Sequence, residues 1–208
     1  MYFKKYDYLE TGRVRPVSFW YNWVMSKESS SIESVVLGGG CFWCLEAAYQ
    51  LVEGVTAITS GYSGGAVKNP GYEAVGMGYT GHAEVVKVEF DRNIISFENI
   101  LEIFWTIHDP TTQNRQGNDV GSQYRSIILY AGDIQRKIAE EVKSQVLLLW
   151  SKPIVTEILP LQKFYEAEDY NQNYYKNNSD NGYCEVVINP KLAKLREKFA
   201  SHLKRDAA

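Results

Sequence analysis

Three consecutive glycines, Gly38-Gly39-Gly40, part the apolar run Val35-Val36-Leu37 from Cys41-Phe42-Trp43-Cys44. Glycine has no Cβ, so such a run lets the backbone turn sharply and approach another group closely. A short buried strand is predicted before it. A helix over residues 41–51 is predicted after it, because Phe42, Leu45, Ala48 and Tyr49 recur near helical spacing. Cys41 then falls in the first turn of a helix, where unpaired N–H groups and the macrodipole favour an anion. That position predicts a thiol brought down from about 8.5 toward neutrality, and so a nucleophilic thiolate. The alternative is a cysteine that packs as a small buried hydrophobe.

The rest of the chain alternates strand and helix signals. Gly54 is a plausible helix stop, and residues 55–62 are β-branched and alternating before a loop opened by Gly61, Gly64 and Gly65. Residues 84–90 alternate most clearly as a strand. Ser96 can cap a helix with Asn99 three residues on and Ile100, Ile103 and Phe104 on its apolar face. A polar loop over about 109–123 leads to a strand at 126–130, an amphipathic helix over 133–149 and a further strand at 154–159. A tyrosine-rich segment and a terminal helix close the chain.

This order predicts an α+β fold: a two-layer α/β plait with a ferredoxin-like β-α-β-β-α-β core, a mixed or antiparallel sheet, a long C-terminal coil and a terminal helix. No repeat or low-complexity tract divides it. The expected organisation is an N-terminal extension at residues 1–33, one catalytic domain at 34–203 and a tail at 204–208. The extension shows no signal-peptide pattern; residues 1–24 are expected to be dispensable and Met25 to be a candidate natural start.

Composition narrows the function classes. The 208 residues are 45% hydrophobic and 23% charged, which excludes whole-chain disorder. No uninterrupted apolar run exceeds five residues (Val146–Trp150 is one), so no membrane-spanning helix is expected. A net charge of −3 is too small to draw nucleic acid or an anionic membrane by field alone. The basic tail Lys191, Lys194, Arg196, Lys198, Lys204, Arg205 reads as the solvated face and last turn of a helix. Three cysteines, Cys41, Cys44 and Cys184, are too few for a disulfide scaffold and point to metal, redox or nucleophilic use in a reducing, cytoplasmic setting.

Several chemistries fit these residues. Cys41 and Cys44 form a C-x-x-C, as in a thioredoxin-like dithiol or half of a zinc site, although Cys184, His82, His108 and His202 supply no second pair. Glu84, in Gly81-His82-Ala83-Glu84, stands at the start of the clearest strand. It is a solvated rim residue or, in an apolar pocket, a carboxyl raised toward neutrality that can act as a general acid. His82 and His108 alone read as structural. The loop 115–126 offers a carboxylate, amides, a phenol and an arginine within a few residues, and loops of this length in compact domains are often functional.

Five segments together resemble a known family. Gly40-Cys41-Phe42-Trp43, Gly61-Tyr62-Ser63-Gly64-Gly65, Asn69-Pro70-Gly71-Tyr72, Thr80-Gly81-His82-Ala83-Glu84 and Gly117-Asn118-Asp119-Val120-Gly121-Ser122-Gln123-Tyr124-Arg125-Ser126 resemble the A-type peptide methionine sulfoxide reductases in order and spacing, over about residues 33–200. The resemblance implies reduction of methionine S-sulfoxide, free or in proteins, and repair of oxidised proteins. It implies that Cys41 attacks the sulfoxide sulfur, Glu84 protonates the oxygen, and Tyr72 and Tyr124 hydrogen-bond that oxygen. Phe42 and Trp43 would form the pocket for the methyl group, with Asp119, Gly81 and His82 around the substrate. Cys184 would resolve the Cys41 sulfenic acid, and thioredoxin, or dithiothreitol in vitro, would reduce the resulting disulfide. Cys44 departs from the commoner glycine and is a possible second resolving cysteine. No bound cofactor or metal is expected, nor any nucleic-acid or membrane partner, and the chain is expected to be monomeric. A protein-disulfide oxidoreductase is the main rival reading, with a non-enzymatic binding module third.

Overall fold

The alternation of Val85, Val86, Val88 and Phe90 builds a strand buried on both faces, and the sheet is assembled around it. The computed structural model describes residues 31–205. The expectations for residues 1–30, including the dispensable segment and the start at Met25, lie outside the described residues. From Ile32 on the chain forms one compact unit. Its elements run β1 (Ile32–Gly38), α1 (Phe42–Gln50), β2 (Val55–Ser63), α2 (Tyr72–Gly76), β3 (Ala83–Asp91) and α3 (Phe97–Ile107). There follow β4 (Arg115–Gln116), β5 (Asp119–Val120), β6 (Ile127–Tyr130), α4 (Asp133–Val146), β7 (Glu157–Pro160) and β8 (Phe164–Glu166). The last elements are α5 (Tyr174–Asn177), a π-turn at Cys184–Ile188 and α6 (Asn189–Phe199).

Six strands form one mixed sheet in the order β7-β6-β1-β3-β2-β8, so the fold is α+β. The β1–β3, β1–β6, β2–β3 and β2–β8 pairs are antiparallel, and β6–β7 is parallel. Strand alternation sends Val35, Leu37, Val86, Val88, Phe90 and Ile128 into the main core with Phe42, Leu45, Ile100 and Phe104 from the helices. The alternate residues Val36, Ala83, Val85, Ile127 and Leu129 form a smaller apolar cluster under Leu161 and Phe164.

Several predicted elements appear with different limits. The Ser96 cap is present: its side chain accepts the Asn99 amide at 3.2 Å. The helix expected over 133–149 ends at Val146, and Leu147–Leu149 continues as a 3-10 turn with Leu148 and Leu149 exposed. The last expected strand is shorter and later, at Glu157–Pro160. The segment expected as a long C-terminal coil instead contributes β8, α5 and the π-turn. The 109–123 loop holds the β4–β5 hairpin. Among the described residues no helix is long and apolar enough to cross a membrane.

The triple glycine is explained by its neighbours. A Cβ on Gly38 would lie 2.8 Å from Ile127 Cγ2 and 2.9 Å from the Glu84 carbonyl, so strands β1, β3 and β6 could not close around it. Gly40 has φ +96°, and a Cβ there would meet Gln116 at 2.6 Å. The chain can therefore turn out of the sheet at this point and enter α1 directly.

Candidate active site

Cys41 ends that turn. It occupies the N-cap of α1 with φ −58° and ψ 127°, outside the helix proper, and is buried. The next amide, that of Phe42, donates to Glu84 Oε2 at 3.1 Å. Glu84 lies on β3 opposite Tyr62 of β2 and is only 2% exposed, so it is no rim residue. Burial pushes its carboxyl up to about 8; the Phe42 amide opposes this, and the nearby Asp119 carboxylate adds to it. Glu84 is therefore largely protonated at neutral pH.

The expected lowering of the Cys41 thiol is not found. Burial raises Cys41 well above the ordinary thiol range, helped by its hydrogen bond to Cys44 and by the charge of Glu84. The helix start that was expected to favour a thiolate donates its first amide to Glu84 instead. Cys44, buried one turn along, is held down to about 7, first by the hydrogen bond from Cys41 and then, against burial, by Lys191. Of the two thiols, Cys44 is therefore the more readily ionised.

Aromatic rings enclose this pair. Tyr72, at the start of α2, stacks on Phe42 and on Trp43 with centroids 6.4 Å apart in each case. Trp43 lies flat on Tyr174 at 3.6 Å and 8°, and its indole N–H donates to Asn171 Oδ1. Burial, followed by the charges of Glu84 and Cys41, pushes Tyr72 up to about 12 and raises Tyr124 further. Both phenols are therefore neutral donors beside the thiol and the carboxyl. Asp119 accepts the Tyr183 hydroxyl at 2.8 Å. That hydroxyl also bears on Cys41, and its ring stands edge-on to Trp43.

Cys184 follows Tyr183 in the π-turn and is buried; burial and then Cys44 raise its thiol. All three cysteines are free thiols. Cys44 is thus electrostatically coupled to both other thiols.

Cys41, Cys44, Phe42, Trp43, Tyr72, Glu84, Asp119, Tyr124 and Cys184 come together in one cluster. Gly81 and His82 are engaged with the neighbouring loop instead. Gly81 makes a turn at φ +75°, and the His82 ring is fully engaged: Nδ1 accepts the Gly65 amide at 3.1 Å and Nε2 donates to the Val67 carbonyl at 2.8 Å. His82 pins the loop after β2 and has no nitrogen left for a ligand. His108 is likewise structural, donating to the Phe104 carbonyl and accepting from Ser126, with burial holding it down to about 4. Among the described residues no group of three or more His, Cys, Asp and Glu is disposed to hold a metal.

Sequence reasoning missed four contributors. Glu168 accepts the Tyr72 amide at 2.8 Å through one oxygen, and the Tyr62 hydroxyl and the Asn171 amide through the other. Asn171 in turn holds Trp43. Tyr174 and Tyr183 complete the wall. The tyrosine-rich texture of residues 164–183 was the available signal, but core packing explained it equally well.

A family model described as peptide methionine sulfoxide reductase matches residues 33–203. Peptide methionine sulfoxide reductase MsrA of Saccharolobus solfataricus is 56% identical over 173 residues, which are 83% of this chain and 98% of that protein. The reduced form of Mxr1 from Saccharomyces cerevisiae superposes with a TM-score of 0.72 at 32% identity, covering 76% of this chain and 91% of its own. Methionine sulfoxide reductase A of Corynebacterium diphtheriae gives 0.66 at 34% identity, covering 73% and 77%. A match this long, on the segment that carries the dithiol, the buried carboxyl and the aromatic wall, leaves one conclusion about ancestry: the chain belongs to the peptide methionine sulfoxide reductase family.

Proposed function

We propose that this protein reduces methionine S-sulfoxide, free or within proteins, to methionine, using Cys41 as nucleophile and Glu84 as acid. One observation carries the reading. A carboxyl that is protonated at neutral pH is tied to the first amide of the Cys41 helix, inside an aromatic wall. A sulfoxide has a polar S–O group beside a small methyl, so it needs donors on one side and apolar rings on the other. Glu84, Tyr72 and Tyr124 supply the donors, and Phe42 and Trp43 supply the rings.

In the first step Cys41 sulfur bonds to the sulfoxide sulfur while its proton passes to the Cys44 thiolate. Glu84 gives its proton to the sulfoxide oxygen. The resulting hydroxyl moves to Cys41, methionine leaves, and the products are Cys41 sulfenic acid, neutral Cys44 and ionised Glu84. A thiol then attacks the sulfenic sulfur, forming a disulfide and releasing water. The resemblance gives this role to Cys184. Electrostatic coupling of Cys44 to Cys41, and more weakly to Cys184, supports a second order in which Cys44 resolves first and Cys184 then exchanges onto it. Cys41 is the N-cap of α1 and its carbonyl accepts the Cys44 amide, so a Cys41–Cys44 bond would have to form across the first turn. A dithiol must return the two electrons, and thioredoxin is the reductant of this reading. The low, odd count of three cysteines supports a reducing, cytoplasmic setting.

We also read the four strands ordered β6-β1-β3-β2 as a ferredoxin-like plait; the antiparallel pairings and the helices α1 and α3 between strands support it.

The test is a methionine sulfoxide peptide with dithiothreitol, read by mass. A loss of about 16 Da from the S epimer is expected. Reduction of insulin disulfides with the sulfoxide left intact would favour the protein-disulfide reading instead.

A further inference from the structure

We propose that Glu46 is a positioning residue that holds Tyr174 flat against Trp43, and so sets the apolar wall that receives the substrate methyl. This rests on the reading of Trp43 given above. Glu46 lies on α1, one turn past Trp43, and is 1% exposed. Among the described residues it forms no ion pair, and the reaction as derived does not use it.

Its partners are three donors. Oε1 accepts the Asn173 amide at 2.8 Å and the Ser60 hydroxyl at 3.3 Å, and Oε2 accepts the Tyr174 amide at 3.0 Å. The two amides open α5, whose own N-cap, Asn173 at φ +53°, gives no side-chain cap. Glu46 therefore caps that helix from a different one. A buried carboxylate without a cation persists only when donors of this kind surround it. The result is local: Tyr174 is fixed 3.6 Å above the Trp43 ring, while Asn171 fixes the indole edge. Gln50 adds a side-chain bond to Asn173 at 2.9 Å.

Glutamine at position 46 keeps the volume but turns an NH2 group toward an N–H that needs an acceptor. With a sulfoxide peptide and dithiothreitol, Glu46→Gln in the full chain is expected to raise KM about tenfold and leave kcat within about twofold. Tyr174→Leu, which removes the stack, is expected to do the same. The double variant is expected to be no worse than the poorer single one, because both act through Trp43. An unchanged KM in Glu46→Gln, or effects that simply add, overturns the role. If Glu46→Gln does not fold, Glu46→Asp and Ser60→Ala are measured in its place, and an unchanged KM in both overturns it. A wild-type protein that leaves the sulfoxide intact would sink the reading of the reaction; a working wild type beside an unaltered variant sinks the role of Glu46 alone.

Discussion

The amide of Phe42 donates to Glu84 Oε2 at 3.1 Å, joining the start of the Cys41 helix to the centre of the sheet. Two consequences follow from this bond. It fixes the carboxyl beside the thiol, and it removes from Cys41 the donor that a helix start would otherwise offer. Glu84→Gln keeps the shape and cannot give up a proton. The rate of sulfoxide reduction at neutral pH is expected to fall at least about 100-fold. In the wild type the chemical step should slow as pH rises through about 8, where Glu84 ionises. The variant should lack that limb. A pH profile of single-turnover methionine formation decides it.

The same carboxyl governs stability. Its folded pKa is raised above the unfolded one, so the neutral form is favoured in the fold. That contribution is complete below about pH 4.5 and is lost as pH climbs through about 8. Between these limits the wild type should lose about 1.4 kcal/mol per pH unit relative to Glu84→Gln. Urea unfolding of both proteins at pH 5 and pH 8 measures the difference. Parallel curves would show that Glu84 ionises normally.

Thiol titration separates the two cysteines of α1. Ultraviolet thiolate absorbance of the reduced wild type should show a first midpoint at about 7, belonging to the Cys41–Cys44 pair. In Cys44→Ser that step should vanish, leaving no thiolate below about 8.5, because burial raises Cys41 when it stands without its partner. A midpoint that stays near 7 in Cys44→Ser would return the low pKa to Cys41 and to the helix start.

What the sequence made legible was local. Ser96 followed by Asn99 signals a helix start, and the Gly38-Gly39-Gly40 run signals a turn that ends at a helix with a cysteine at its mouth. Both depend on residues a few positions apart. The Cys41 thiol was misjudged because its position at a helix start can be read from neighbours, whereas its burial depends on how β3 and the C-terminal segment pack over it. Glu168 and Tyr62 are 106 residues apart, and Trp43 and Asn171 are 128 apart. Their pairing follows from β8 adding beside β2, which nothing in the local pattern of residues 164–166 specifies.

His82 read on its own as structural, whereas the family resemblance implied a place around the substrate; both ring nitrogens bond the loop after β2. His82→Ala is expected to destabilise the fold by about 1–3 kcal/mol, since it removes a buried ring and its bonds to the part-buried Gly65 amide and Val67 carbonyl. KM for a sulfoxide peptide, measured well below the melting range, should stay within about twofold. A tenfold rise in KM at unchanged stability would restore the histidine to the substrate.

The order of the sulfur chemistry can be read directly. One equivalent of sulfoxide is added to reduced enzyme without dithiol, the mixture is quenched by acid at successive times, and the disulfides are mapped. Because Cys44 is coupled to Cys41 more strongly than to Cys184, the Cys41–Cys44 bond should appear first and a bond to Cys184 later. Cys184→Ser should therefore form one methionine per enzyme and stop at Cys41–Cys44 until dithiothreitol is supplied. Cys44→Ser should form methionine more slowly, since the thiolate that takes the Cys41 proton is gone, and should accumulate sulfenic acid, trapped by dimedone. A Cys41–Cys184 bond at the earliest time point, with Cys44 still free, would reverse the order and leave Cys44 with the proton alone.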